Sequence, residues 1–221
     1  MSDQPSIQIT KNGPYSVRGN VPLDEQRIVS DDEDAATEYR GDKEHPDQQQ
    51  YLLCRCGRSA NMPYCDGAHL HFRFDGRETA SRESFAEQAE VTAGPELILE
   101  DVVDLCALAR FCHIGAGTWE QVEHPGGPQD REMAIRGACN CPAGRLVIRD
   151  AKTGEAIEPE FEPSITALYD EAADAQGPLY VKGGIPITSA DGHTYEVRNR
   201  VTLCRCGRSY NKPFCDGSHL L

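Results

Sequence analysis

Eight side chains arranged in one repeated pattern define the chemistry open to this chain. Cys54, Cys56, Cys65 and His69 follow the spacing C-x-C-x8-C-x3-H, and Cys204, Cys206, Cys215 and His219 follow it again. Each set offers three thiolates and one imidazole, enough to close one tetrahedral centre or two bridged ones. The residue types alone suit structural zinc, although zinc pairs are usually spaced C-x2–4-C and not C-x-C. Both sets lie inside a duplication: Leu53 to Leu70 recurs as Leu203 to Leu220 with 14 of 18 positions identical. A weaker match of Gly13–Leu23 with Gly177–Ile187 carries the repeat upstream into a strand-like run.

The run from Cys54-Arg55-Cys56-Gly57-Arg58-Ser59 to Pro63-Tyr64-Cys65-Asp66-Gly67-Ala68-His69 resembles the signature of the CDGSH iron–sulfur family, the mitoNEET-type proteins. The second copy, ending Cys215-Asp216-Gly217-Ser218-His219, matches it equally. The resemblance implies one [2Fe–2S] cluster per motif. Cys54 and Cys56 would then hold an inner iron and Cys65 and His69 an outer one, with Cys204 and Cys206 set against Cys215 and His219 in the same way. A neutral imidazole in place of a fourth thiolate leaves the cluster less negative and easier to reduce, the direction in which histidine ligation moves Rieske centres. The free imidazole nitrogen can titrate, which couples electron uptake to proton uptake at His69 and His219. Protonation of the ligating nitrogen would release the ligand, so acid-labile clusters and transfer to acceptor proteins are also expected.

Other motif positions have physical roles of their own. Asp66 and Asp216 are placed to cap a helix beginning at the Gly-x-His step, with Gly67 and Gly217 permitting close approach. Arg55, Arg58, Arg205 and Arg208 stand beside ligands, either offsetting cluster charge or facing solvent. His71 has no counterpart in the second copy and reads as surface, and Phe72–Ala80 resembles the segment after the motif in bacterial relatives.

Four further cysteines lie between the copies. Cys106 and Cys112 parse as C-x2-Ala109-x2-C, a ferredoxin run with its central cysteine replaced, and Cys141-Pro142 resembles the last ligand of bacterial ferredoxins. This part is similar to the divergent single-cluster ferredoxin domains. The likeness implies a three-cysteine site of Cys106, Cys112 and Cys141 suited to [3Fe–4S]. Cys139 is then a fourth ligand, allowing [4Fe–4S], or a plain buried thiol. A degenerate packing domain without a cluster is the alternative.

The elements that must position these residues are small. Leu179–Ser189 and Thr194–Leu203 are β-rich runs joined by Ala190-Asp191-Gly192-His193, whose Asp-Gly pair favours a tight turn. The first copy carries about fourteen extra residues within 29–50, acidic and polar enough for a solvated loop. Residues 96–112 space their apolar side chains as a helix does, and 134–150 ends in a strand. The expected fold is α+β with small antiparallel β units. Residues 1–80 and 175–221 are the two CDGSH modules, paired about an internal pseudo-two-fold around a ferredoxin-like middle module, 90–172.

Composition narrows the setting. A net charge of −14 argues against a nucleic-acid partner, since phosphate backbones are bound by basic patches. The beginning of the chain has neither a basic region nor an apolar core like those of secretory signals, and no stretch approaches the roughly 18 apolar residues of a membrane span. A cytoplasmic, metal-binding protein is therefore expected, because clustered cysteines in a reducing compartment read as ligands rather than disulfides. Without a phosphate loop, nucleophile elbow or HExxH pattern, the chain is expected not to be an enzyme. The leading expectation is electron transfer by a monomeric multi-cluster iron–sulfur protein with redox or cluster-acceptor proteins as partners and no membrane contact. Cluster storage or delivery to apo-proteins is the alternative, and structural zinc the third class.

Overall fold

The computed structural model describes residues 4–221; the first three residues of the expected 1–80 module lie outside the described ones. In chain order, the first repeat supplies β1 (Ser6–Ile9), β2 (Tyr15–Arg18), β3 (Leu23–Ser30), β4 (Ala36–Glu44) and β5 (Gln50–Leu53). The connecting part supplies a four-residue α1 (Phe85–Gln88), β6 (Glu90–Ala93), β7 (Leu97–Asp101), α2 (Thr118–Glu123), α3 (Pro128–Cys139), β8 (Leu146–Asp150) and β9 (Ala156–Ile157). The second repeat supplies β10 (Ser164–Asp170), β11 (Ala175–Lys182), β12 (Ile187–Thr188) and β13 (Arg200–Leu203). The β10–β11 hairpin spans the junction drawn at residues 172–175 between the middle and second modules.

These strands form three sheets. One has the order β12-β1-β2-β5, the second β13-β11-β10-β3-β4, and the third, β6-β7-β8-β9, belongs to the middle part alone. Each of the first two borrows from the other repeat. Ile7 pairs with Ile187 where β1 runs parallel to β12, and Ile165 pairs with Leu23 where β10 runs parallel to β3. The expected small β units are present, but these two sheets are mixed rather than antiparallel, because the strands exchanged between repeats enter alongside their hosts.

One apolar core joins the repeats. Ile7, Tyr15, Val17 and Leu53 from the first pack with Ile165, Leu179, Val181 and Leu203 from the second, all nearly inaccessible to water. The middle part has its own core around Leu97, Leu99, Val122, Ala134, Leu146 and Ile148.

Two sequence expectations are corrected. The acidic insert of the first repeat is not a solvated loop: Ala36–Glu44 is a strand antiparallel to β3, extending the second sheet. The turn is set by Asp31, whose carboxylate accepts the Glu33 and Ala35 amides. The exposed charges suit an edge strand, which repels further pairing. What the charge hid is Tyr39, whose ring lies 4.5 Å from that of Phe111. Residues 96–112 are not a helix either. Leu97 and Leu99 face the middle core from β7, while Cys106–Arg110 is a loop with Leu108 and Arg110 in the left-handed region. A short buried apolar run has no periodicity that separates strand from helix. The helices of this part, α2 and α3, lie after it.

Candidate metal centres

Each repeated motif hangs from the last strand of its repeat and is closed by the same hydrogen bonds. The Cys54 amide donates to Pro63 O and the Cys65 amide to Leu52 O; Cys204 donates to Pro213 O and Cys215 to Thr202 O, at 2.8–2.9 Å. The Ser59 and Ser209 hydroxyls donate to the carbonyls of Tyr64 and Phe214. Asp66 accepts the amides of Ala60 and Ala68, and Asp216 those of Tyr210 and Ser218. The helix expected after the Asp-Gly step is a single 3-10 turn, Ala68–His71 and Ser218–Leu220, with Gly67 and Gly217 left-handed at its start.

This frame sets the ligands in pairs. Cys54 and Cys56 hold their sulfurs 3.7 Å apart, and Cys65 Sγ is 3.5 Å from His69 Nδ1. In the second motif the separations are 3.7 Å for Cys204 and Cys206 and 3.4 Å for Cys215 and His219. With metal–sulfur bonds of about 2.3 Å and metal–nitrogen bonds of about 2.0 Å, two ligands on one tetrahedral metal sit roughly 3.5–3.8 Å apart, so each pair spans one edge of a tetrahedron. Among the described residues, no three Cys, His, Asp or Glu side chains converge on a single ion. Two ligands per metal, twice per motif, fit a two-metal cluster better than one zinc.

The arginines beside the ligands divide into two kinds. Arg55 and Arg205 are 2% and 5% exposed and brace the loops from within. Arg55 donates to Thr10 O and Gly76 O, and Arg205 to Leu168 O and Gly177 O. Arg58 lies 4.0 Å over the Phe72 ring, and Arg208 donates to the carbonyls of His219 and Leu221. Burial pushes the His219 imidazole down to about 4, keeping it neutral and able to ligate at neutral pH. Burial also raises the Cys215 thiol to about 12, so a metal must displace its proton.

The two ligand loops meet back to back. A Cβ on Gly57 would run into the Cys206 carbonyl, and one on Gly207 would come within 2.8 Å of Cys56 O. Both glycines have positive φ, 76° and 78°. Gly57→Ala therefore adds a left-handed backbone cost of about 1–2 kcal/mol to a clash with backbone that cannot yield. Urea denaturation is expected to show a loss of at least that size.

Residues 12–70 and 176–220 match the family model described as iron-binding zinc finger CDGSH type. This is a tandem CDGSH protein. It is accordingly an iron–sulfur protein. Comparison with curated proteins and with solved structures found no match to it.

Several residues of the tandem CDGSH protein that support the centres carried no signal in the sequence. Tyr15, on β2 of the first repeat, donates 2.8 Å to Cys204 O of the second. The segment after the first motif is a strap: Phe74 covers Cys54 and Cys56, and Thr79 and Ala80 donate their amides to Lys212 O. His71 is exposed, as expected.

In the middle part, Cys106, Cys112 and Cys141 line one small cavity with Ala107, Ala109 and Arg145. Burial, reinforced by Cys141 and Cys106, raises the Cys112 thiol to about 12. Cys139 does not join them; its thiol donates to Ile157 O at 3.4 Å. Arg200, 1% exposed on β13, ties this part to the second repeat, donating to Ala138 O, Cys139 O, Cys141 O and Leu146 O while pairing with Glu158.

Proposed function

We propose that the chain is a non-catalytic electron-transfer protein with two Cys3His [2Fe–2S] clusters and a third cluster, [3Fe–4S], on Cys106, Cys112 and Cys141. The observation that carries this is the pairing of the ligands at tetrahedral-edge distances in both motifs, joined by ligand loops in backbone contact. Bound there, the clusters supply one-electron redox chemistry. The residues do the rest: Cys54 with Cys56 and Cys65 with His69 would hold separate irons, Arg55 and Arg205 fix the loops, and the strap from Phe72 to Ala80 packs Phe74 against the inner ligands of the first site.

The two repeats form an internal pseudo-dimer in this reading. It is supported by the strand orders: exchanging each strand for its counterpart converts β12-β1-β2-β5 into β3-β10-β11-β13. One monomer then holds what two one-motif chains would hold. For the third cluster, support comes from the shared cavity and from the left-handed residues Leu108 and Arg110 between Cys106 and Cys112, a loop form that turns backbone N–H groups toward an anionic centre. Cys139, bonded elsewhere, is left out, which favours [3Fe–4S] over [4Fe–4S].

Among the described residues no helix is long and apolar enough to cross a membrane. The partners proposed are redox proteins met in the cytoplasm, with neither nucleic acid nor membrane among them. Delivery of clusters to apo-proteins stands as the second reading, favoured by the partial exposure of Cys65 and His69.

The test is EPR with iron and sulfide counts on the purified protein. About seven irons per chain, with an oxidised-state signal that disappears on reduction, is the expected result, since oxidised [2Fe–2S] is silent and oxidised [3Fe–4S] is not. Roughly four irons and no oxidised signal would remove the third cluster, and a colourless zinc protein would overturn the reading.

A further inference from the structure

The two motifs are built alike, yet their surroundings differ. At the first, the outer ligands face open space: a Cβ on Gly67, between Cys65 and His69, would meet no atom within 4 Å, and Leu70 is 78% exposed. At the second, the equivalent Gly217 is covered. A Cβ there would lie 2.5 Å from Leu108 of the middle part, and Cys215 is 2% exposed, packed with Ala107, Ala143 and Cys141. Asn211 of the second motif also donates to Asp104 O, 2.7 Å away, just ahead of the covering loop. The 106–112 loop thus lies over the Cys215 side of the second site, and among the described residues nothing equivalent lies over Cys65 in the first.

Leu108 reaches the second motif directly: it sits at φ 55° and its side chain, 42% exposed, occupies the space beside Gly217. From this asymmetry, and resting on the reading that both motifs hold clusters, we propose that the first site is the exchange site of the protein. There an acceptor or redox partner reaches the outer ligands Cys65 and His69. The second is the retained site, its outer ligand Cys215 covered by Leu108 and the 106–112 loop.

The physical content is a difference in access. Release of the outer ligands at the first site needs no displacement of other parts of the chain. At the second, His219 borders an open cleft, but freeing Cys215 requires the 106–112 loop to open, and local openings carry their own free energy. The middle part, held to β13 by Arg200, cannot drift away to provide that opening.

The experiment uses the full-length, cluster-loaded protein, reduced under anaerobic conditions and exposed to 2,2′-bipyridine. That chelator is neutral, so the −14 charge of the chain does not bias its approach. Two phases of equal amplitude in the loss of [2Fe–2S] absorption are expected, differing in rate by about tenfold or more, the factor that corresponds to about 1.4 kcal/mol of protection. The replacements His69→Cys and His219→Cys each alter the visible band of one cluster and so assign the phases, the fast one to His69. Where a histidine variant fails to load, Cys65→Ser and Cys215→Ser leave one cluster each, and the expected rates are slow and fast respectively.

Leu108→Gly removes the cover while keeping a residue at ease at that φ. It is expected to bring the slow phase toward the fast one and leave the fast phase unchanged. A single phase, a fast phase belonging to His219, or a slow phase unmoved by Leu108→Gly would overturn the proposal. A protein colourless before chelator is added would instead overturn the cluster reading itself.

Discussion

Replacing His219 by cysteine is expected to lower the reduction potential of its cluster by on the order of 100 mV or more, and His69→Cys to do the same at the other site. A fourth thiolate adds negative charge to both oxidation states, and the extra electron of the reduced form is repelled the more. The cysteine variant also lacks a second ring nitrogen. In the unmodified protein, proton uptake at that nitrogen is expected to accompany reduction, with the potential falling as pH rises by up to about 59 mV per pH unit. In the variants that slope disappears at the altered site, and loss of the cluster in acid slows. Protein-film voltammetry across pH measures both. An unchanged potential and unchanged acid lability would remove histidine from the account.

Arg200→Ala is expected to cost about 3–5 kcal/mol of folding stability, the range found when one partner of a buried ion pair is removed. Arg200 is almost wholly enclosed and serves four carbonyls together with Glu158. Its loss removes a charged donor from each of these; Ala138 O keeps the Cys141 amide, Cys141 O the Gly144 amide and Glu158 the Asn199 side chain, while an acceptor left unsatisfied in the interior bears the full desolvation penalty. Against a typical total of about 5–15 kcal/mol, that is a large share. The effect should be local as well as global. Two of the carbonyls that lose Arg200 belong to Cys139 and Cys141, so the EPR signal attributed to the middle cysteines should weaken before the CDGSH absorption does. Urea denaturation with parallel EPR checks this. A midpoint within experimental scatter of the parent would show that the middle part is held by something else.

The pairing of the Cys and His side chains in each motif was legible in the sequence because the pattern holds residue type and spacing and occurs twice. The Asp-Gly turn at 191–192 was legible for a similar reason: Gly192 has φ 92°, and few residues other than glycine or asparagine settle there. Relations between distant segments were not. Nothing in the residues of β3 says that they pair with β10 more than 140 positions later, and nothing marks Arg200 as a hub for four carbonyls of another part. Tyr39 illustrates the limit within one segment. Its neighbours Glu38, Arg40, Asp42 and Lys43 give the stretch a loop-like composition, while the ring of Phe111 that makes it a strand is supplied from elsewhere. Leu97–Leu99 shows the converse, an apolar run whose partner strands and helices decide its form.

The parallel exchange of strands between repeats has a consequence during synthesis. Ile7 must wait for Ile187, 180 positions later in the chain. At ribosomal rates of about 5–20 residues per second, β1 has no β12 for roughly 10–35 s, and β3 waits nearly as long for β10. Through that interval the nascent first repeat shows bare strand edges beside three free cysteines. The newborn chain is therefore expected to depend on chaperones, and on iron–sulfur insertion that comes after closure of the sheets rather than before it.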